Sequence, residues 1–500
     1  MTAVQRDSDP MPTPFAHRLD SLARARPAHP AVVMPGASID YPALADRVAR
    51  RASALARAGC STSLPVGVSV GDDLENLVST LALLRLGVPQ IPFPAADPLP
   101  LRRDLARRLS MSHVVADDDA QAIEGVATIR IDRIASTPGP APGGDAYRDD
   151  AHAFFSTSSG TTGKPKLFGY SQRTFGGRAD LIARALGYAD DERVMVAMPV
   201  VTQNGKFSRL IALWRGATVV LPGDAGDSTS SLFELCAGLR VTYLQLTVLQ
   251  ARNLMIAAGA DRRLPPHTRV FLGAARMPAG FPHEFHRRVG ASVYDRYGAT
   301  EIGLFATTWP DGDPGVDDSV GTPVAGVEVE IVDPSGAPLP RNATGEIRAR
   351  SASMTTAYLD DAAATRRHFR DGWFWPGDMG AMTESGVLRY LGRKDDMMVL
   401  NGINIFPAEI ERVLEGHPAV ATSAAFPIAS PNYGEIPAAA VELRAGAHAD
   451  ADELSRYARR ELGVRAPRVV VVLEALPRNA AGKVAKLELP ALVASRASLP

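Results

Sequence analysis

An α/β fold built of parallel layers is predicted by the pattern of apolar residues along the chain. Short apolar runs alternate with stretches whose apolar residues recur at helical spacing. That alternation favours parallel strands joined by helical crossovers. The chain has 500 residues, more than one hydrophobic core organises, so two or more domains are expected. Residues 1–13 read as a loose tail. Residues 39–59 carry Tyr41, Leu44, Val48, Ala52 and Leu55 at roughly helical spacing and predict an amphipathic helix. Residues 66–70 read as a strand and 77–86 as the next helix. Pro and Gly make 135–146 a surface connection. Residues 194–198, 217–221 and 269–272 are further strands, and 326–333 and 344–350 are antiparallel strands. Towards the C-terminus come a helix at 408–414, strands at 420–426 and 438–443, a helix from Ala451 and a strand at 469–473.

Composition narrows the class of partner. Apolar content of 46% with 22% charged residues fits a globular chain, and a formal net charge of −1 gives no reason to expect nucleic acid or an anionic membrane. Cys60 and Cys236 stand far apart without metal-site spacing, so buried thiols are expected rather than a disulfide framework. The N-terminus has no apolar signal segment, and no run of roughly eighteen apolar residues could span a membrane. A cytoplasmic location is the expectation, with no membrane partner.

Residues 155–166 read Phe-Ser-Thr-Ser-Ser-Gly-Thr-Thr-Gly-Lys-Pro-Lys. Gly160 and Gly163 let backbone N–H groups approach an anion. Ser158, Ser159, Thr161 and Thr162 add donors, and Lys164 and Lys166 add positive charge. This is the chemistry of a polyphosphate-holding loop. Apolar Ala153, Phe154 and Phe155 precede it, so it should leave the end of a buried strand. It is not a P-loop, because Ser158 stands where that motif has its first Gly and Pro165 follows Lys164. His283-Glu284-Phe285-His286 lacks the zinc-site spacing, Ser158 and Ser159 lack a nucleophile elbow, and Asp311-Gly312-Asp313 does not continue into a calcium loop.

The loop resembles the signature of the adenylate-forming (AMP-binding) superfamily, which includes acyl- and aryl-CoA synthetases, adenylation domains of nonribosomal peptide synthesis, and firefly luciferase. Further motifs follow in the family's order: Tyr297-Gly298-Ala299-Thr300-Glu301, Gly372-Trp373-Phe374-Trp375-Pro376-Gly377-Asp378, Gly392-Arg393-Lys394-Asp395-Asp396, Gly402 to Glu411, and Pro477-Arg478-Asn479-Ala480-Ala481-Gly482-Lys483. The resemblance implies a large N-terminal domain, residues 1–394, of layered α/β subdomains with a small β-barrel-like part. It implies a small mobile α+β C-terminal domain, residues 395–500, that rotates about Asp395.

It also implies a reaction in two halves: a carboxylic acid and ATP give acyl-AMP and pyrophosphate, and a thiol then takes the acyl group. Ser158, Ser159, Gly160, Thr161, Thr162, Gly163 and Lys166 would hold the phosphates. Thr300 would contact the α-phosphate and Glu301 would bind Mg²⁺. Gly273, Ala274 and Ala275 would let the backbone approach adenine, Tyr297 would stack on it, and Asp378 and Arg393 would meet the ribose. Lys483 would bridge the carboxylate and α-phosphate, as catalytic residue beside Thr300 and Glu301. Thr202, Gln203, Asn204 and Lys206 would line the acyl pocket.

Some residues depart from the family pattern. Pro376 replaces a Thr, Met398-Val399 replaces Ile-Lys, and Thr202 replaces a His common in acyl-CoA synthetases. Residues 198–215 hold no acidic residue, which disfavours an α-amino acid substrate. Lys206 and Arg209 are candidates to meet a polar or anionic group on the acid; solvated or structural charges are the alternative. Phe406-Pro407-Ala408-Glu409 resembles CoA ligases more than peptide-synthetase domains, which implies coenzyme A as acceptor. The phosphopantetheine thiol of a separate carrier protein is the alternative, since only seventeen residues follow Lys483. A non-catalytic nucleotide-binding relative is an alternative of another class.

Overall fold

The computed structural model describes residues 15–119, 122–134, 151–158, 165–223, 231–273, 277, 280–308, 319–400, 403–430, 434–478 and 484–494. The expected N-terminal tail and the 135–146 connection lie outside them. The chain is mixed α/β, with a large N-terminal domain and a small C-terminal one. Its contacts divide into two compact units. One takes the chain to Gln245 together with Thr300–Gly303 and Ser351–Thr365; the other takes Leu246–Ala299, Leu304–Arg350 and the chain from Arg366.

In the first unit, one sheet runs in the order Ala127–Arg130, His113–Ala116, Val66–Ser69, Gln90–Pro92, His152–Ser158, Lys166–Ser171. Its neighbours are parallel except the last two, which form an antiparallel hairpin. Val66–Ser69 is buried along its whole length, as a parallel strand covered on both faces must be. A second layer runs Ala37–Asp40, Pro30–Met34, Thr218–Val220, Arg193–Val196, with Tyr243 to Gln245 at its far side.

Side-chain caps set where the helices begin. The helix expected at 39–59 is Tyr41–Arg57, because the Asp40 carboxylate accepts from Ala43 N at 2.8 Å. The helix expected at 77–86 starts earlier and runs Asp73–Arg85, because Asp72 caps it through Glu75 N. Hydrophobic spacing alone missed that polar first turn.

In the second unit, Arg269–Gly273, Val293–Ala299, Gly303–Thr307 and Thr322–Pro323 follow one another across a sheet. A further sheet runs Phe369–Arg370, Trp373–Phe374, Gly345–Ser351, Asp378–Met382, Leu388–Arg393, with Val327–Val332 beside Gly345–Ser351. Its antiparallel pairing places Asp378 opposite Arg393. The C-terminal part has its own apolar cluster, from Met398 to Val493. There the long strands Val420–Ser430 and Gly434–Leu443 pair antiparallel, Val469–Leu473 adds in parallel, and the helices Pro407–Glu415 and Ala451–Leu462 accompany them. Both cysteines are buried, and burial pushes each thiol up to about 12, so neither is poised as a nucleophile. Among the described residues, no helix is long and apolar enough to cross a membrane.

Candidate active site

The hydroxyl-rich loop is held at its base by a hairpin. His152–Ser158 is buried through its middle and pairs with Lys166–Ser171 in a register that sets Ser158 opposite Lys166. Ser159, Gly160, Thr161, Thr162 and Gly163 lie outside the described residues. The described ladder ends at the Ser158–Lys166 pair.

Tyr358 joins one of those ends to Glu301. The backbone N–H of Leu359 donates to Leu167 O at 2.7 Å, which brings Tyr358 alongside the hairpin. The Lys166 ammonium lies 5.3 Å above the Tyr358 ring, within the range of cation–π attraction. The Tyr358 hydroxyl donates to Glu301 Oε1 at 2.8 Å, and Thr300 Oγ1 donates to Glu301 Oε2 at 3.1 Å. Glu301 is only 5% exposed. Each of its oxygens keeps a lone pair after these bonds, so the carboxylate is satisfied yet still able to bind a hard cation.

Arg178 fixes the backbone on which this pair stands. It is buried on the helix Gln172–Ala185 and donates to Thr300 O at 2.9 Å, Glu301 O at 3.0 Å and Ser353 O at 3.0 Å. Its guanidinium sits 4.8 Å over the Tyr170 ring. Burial pulls its pKa down, and the Tyr170 and Glu301 charges oppose that. Neither Arg178 nor Tyr358 was singled out from sequence. Their partners lie far along the chain, and no spacing signal links them.

A second cluster lies in the other unit. Tyr297 donates to Asp378 Oδ2 at 2.6 Å, and Arg393 donates to Asp378 Oδ1 at 2.9 Å and to Pro376 O at 2.8 Å. The departure at Pro376 therefore costs no contact here, because the Arg393 bond uses its carbonyl. Gly377 has φ +81°, and a Cβ there would lie 3.3 Å from Arg393 Nη2, so the turn needs glycine. Burial pushes the Asp378 carboxyl up, against the pull of Arg393. Burial, and then the Asp378 charge, push the Tyr297 hydroxyl well up. Tyr390 and Phe305 flank the Tyr297 ring at centroid distances of 5.5 and 5.1 Å. Gly273 ends the strand Arg269–Gly273; Ala274 and Ala275 lie outside the described residues. Asp395 is exposed at the corner of a turn closed by Met397 N donating to Lys394 O at 3.3 Å. Lys483 also lies outside the described residues.

The segment expected to line the acyl pocket opens the helix Gln203–Arg215. Thr202 caps it, accepting from Gly205 N at 3.2 Å and donating to Pro199 O at 2.7 Å. Asn204 Oδ1 accepts from Gln245 Nε2 at 3.3 Å. Sequence reading left Lys206 and Arg209 as solvated, structural or ligand-facing charges; the structure separates them. Neither is solvated. Arg209 is structural, because it donates to Val196 O, Met198 O, Gly205 O and Asp73 Oδ2. Lys206 is 1% exposed and its Nζ has no partner among the described residues. Burial drives its amine down to about 7.

The AMP-binding enzyme family matches residues 19–359, and the family's C-terminal domain matches residues 409–483. An indoleacetate–CoA ligase of Aromatoleum aromaticum is 31% identical over 509 aligned positions, covering 96% of this chain and 98% of that one. A 2-succinylbenzoate–CoA ligase of Bacillus subtilis is 30% identical, covering 73% of this chain and 74% of its own. Among solved structures, ATP-bound MatB from Rhodopseudomonas palustris matches with a TM-score of 0.85 at 25% identity, over 95% of this chain and 98% of that one. The o-succinylbenzoate CoA synthetase of Bacillus subtilis, in complex with its acyl-adenylate intermediate, matches with a TM-score of 0.84 at 25% identity, over 94% and 97%.

Proposed function

The chain belongs to the AMP-binding enzyme family, and from that membership we propose that it joins a carboxylic acid to coenzyme A with the breakdown of ATP. It is an acid–thiol ligase of the adenylate-forming kind. The observation that supports the reading most is the Glu301 carboxylate, buried and oriented by Thr300 and Tyr358, with Lys166 over the same tyrosine ring.

A carboxylate acylates a thiol poorly because oxide leaves badly. In the first half-reaction an oxygen of the acid attacks the α-phosphorus, and the bond to the bridging oxygen breaks as pyrophosphate leaves. Ser158, Lys166 and the loop 159–163 hold the β- and γ-phosphates in this reading, and Thr300 meets the α-phosphate. In this reading Lys483 would bridge the attacking carboxylate and the α-phosphate, where negative charge accumulates. Among the described residues no three acidic, His or Cys side chains cluster as a metal cage. One carboxylate with phosphate oxygens suits magnesium, and Glu301 fits that role. When bound, the ion would neutralise phosphate charge.

Adenosine would lie on Tyr297 with the backbone of Gly273 to Ala275 against the base. Each Asp378 oxygen keeps room for a ribose hydroxyl beside its bond to Tyr297 or Arg393. In the second half-reaction the thiol sulfur attacks the acyl carbon, and AMP leaves with the oxygen that came from the acid. Rotation of residues 395–500 about Asp395 would withdraw Lys483 between the halves.

The test is pyrophosphate release with MgATP across fatty, aryl, dicarboxylic and amino acids, with and without coenzyme A. Acid-dependent release, rising with coenzyme A and accompanied by a thioester in the mass spectrum, is expected. Release that rises only with a carrier protein's phosphopantetheine would replace the acceptor. AMP binding without release for any acid would contradict an enzymatic role.

A further inference from the structure

Lys206 is the fourth residue of the helix Gln203–Arg215, whose first turn holds no acidic side chain. That end of a helix favours anions and disfavours cations. The side chain is also almost wholly buried, and its amine has no hydrogen-bond partner among the described residues. Asp73, the carboxylate that reaches this helix, is held by Arg209 at 3.0 Å. Burial lowers the amine's pKa, and no carboxylate among the described residues offsets it. A lysine in such a place destabilises the fold twice over, through desolvation and through the helix dipole. An anion beside it would relieve both.

Thr202 and Arg209 are spoken for by the backbone contacts they make, so Lys206 is the cation left for a ligand.

We infer that Lys206 is the specificity-determining residue of the acyl site, and that the acid it selects carries a second anionic group, a carboxylate or a sulfonate, away from the reacting carboxylate. This rests on the proposed function and on the family resemblance, by which Thr202, Gln203, Asn204 and Lys206 would line the acyl pocket. The reacting carboxylate is consumed as the anhydride forms. The second anion stays charged throughout and pairs with Lys206 in both half-reactions, so it contributes uniformly to binding rather than to the chemical step.

The test uses the full chain with AMP present and matched acids: butyrate against succinate and 3-sulfopropanoate, and 3-phenylpropanoate against its para-carboxy analogue. Calorimetric titration reads the inference, and pyrophosphate release with MgATP reads the proposed function separately. The doubly anionic member of a pair is expected to bind the wild type at least tenfold tighter than its mate. Lys206→Met and Lys206→Gln, each checked for cooperative thermal unfolding, should abolish that preference and leave the uncharged mate bound as before or better. In turnover the loss should fall mainly on KM. Equal binding of both members, a preference for the uncharged acid, or a preference that survives both substitutions would overturn the inference. A binding preference without pyrophosphate release would uphold it and sink the proposed reaction.

Discussion

At the scale of single residues, Glu301 answers to two hydroxyl donors and still has lone pairs to spare. Glu301→Gln keeps the shape but removes the charge that would hold magnesium in the proposed reaction. We expect acid-dependent pyrophosphate release to fall roughly a hundredfold or more, without recovery at raised Mg²⁺. Tyr358→Phe removes one bond to a charged group, on the order of 1.5–3 kcal/mol. It should raise the Mg²⁺ concentration needed for half-maximal rate while leaving thermal unfolding close to wild type. An unchanged Mg²⁺ requirement would remove Tyr358 from the site. Lys483→Ala should cripple adenylation much more than thioester formation from preformed acyl-AMP; equal loss of both halves would count against its role. Lys206 makes a stability prediction as well. Its folded amine titrates near 7, against an ordinary value of 10.5. The folded state therefore binds fewer protons than the unfolded state between those values, and stability rises with pH across that window. Lys206→Met should stabilise the protein most below pH 7, with the gain shrinking by roughly 2–3 kcal/mol between pH 6 and 9. A gain that does not depend on pH would contradict a buried, unpaired amine. Thr300, Glu301 and Asp378 could be nominated from sequence because their motifs are local, and their roles belong to the proposed reaction. Arg178 and Tyr358 could not be nominated, since each acts on residues far away in sequence through contacts that only the fold creates.

At the scale of elements, short turns carry the geometry. Gly377 at φ +81° precedes Asp378, which pairs opposite Arg393, and a Cβ at Gly377 would press on the Arg393 guanidinium. Gly377→Ala should cost about 1 kcal/mol in backbone strain and weaken nucleotide binding by displacing the Arg393 guanidinium, read as a raised KM for ATP. Unaltered KM would mean the Arg393 contact is dispensable. Asp395 occupies the corner of the turn closed between Lys394 and Met397. Asp395→Pro stiffens that corner without disturbing either flanking strand. Adenylation should be spared and thioester formation slowed; unchanged rates in both would end the hinge assignment. The strands Val66–Ser69, Arg193–Val196 and Arg269–Gly273 were readable as short apolar runs, whereas Pro30–Met34 and His113–Ala116, runs of the same kind, went unread. Helix starts were less readable, because Asp72 displaced one of them by capping a polar turn that apolar periodicity cannot see.

At the scale of the whole molecule, the α/β class followed from alternating periodicities. The division into a large and a small domain did not, because composition does not change at the junction. It came from motif order, and the apolar cluster from Met398 to Val493 gives it a physical basis. The substrate was the least legible part. A sequence shows that Lys206 and Arg209 are charged, but only packing separates the arginine tied to Asp73 from the lysine with no partner among the described residues. The central claim is that an oxygen of the acid attacks the α-phosphorus of ATP. It is tested most directly by running the complete reaction with an acid labelled with ¹⁸O in its carboxylate and weighing the products. One labelled oxygen in AMP and none in pyrophosphate or inorganic phosphate is the predicted result. Label in inorganic phosphate, or unlabelled AMP alongside thioester, would contradict the account.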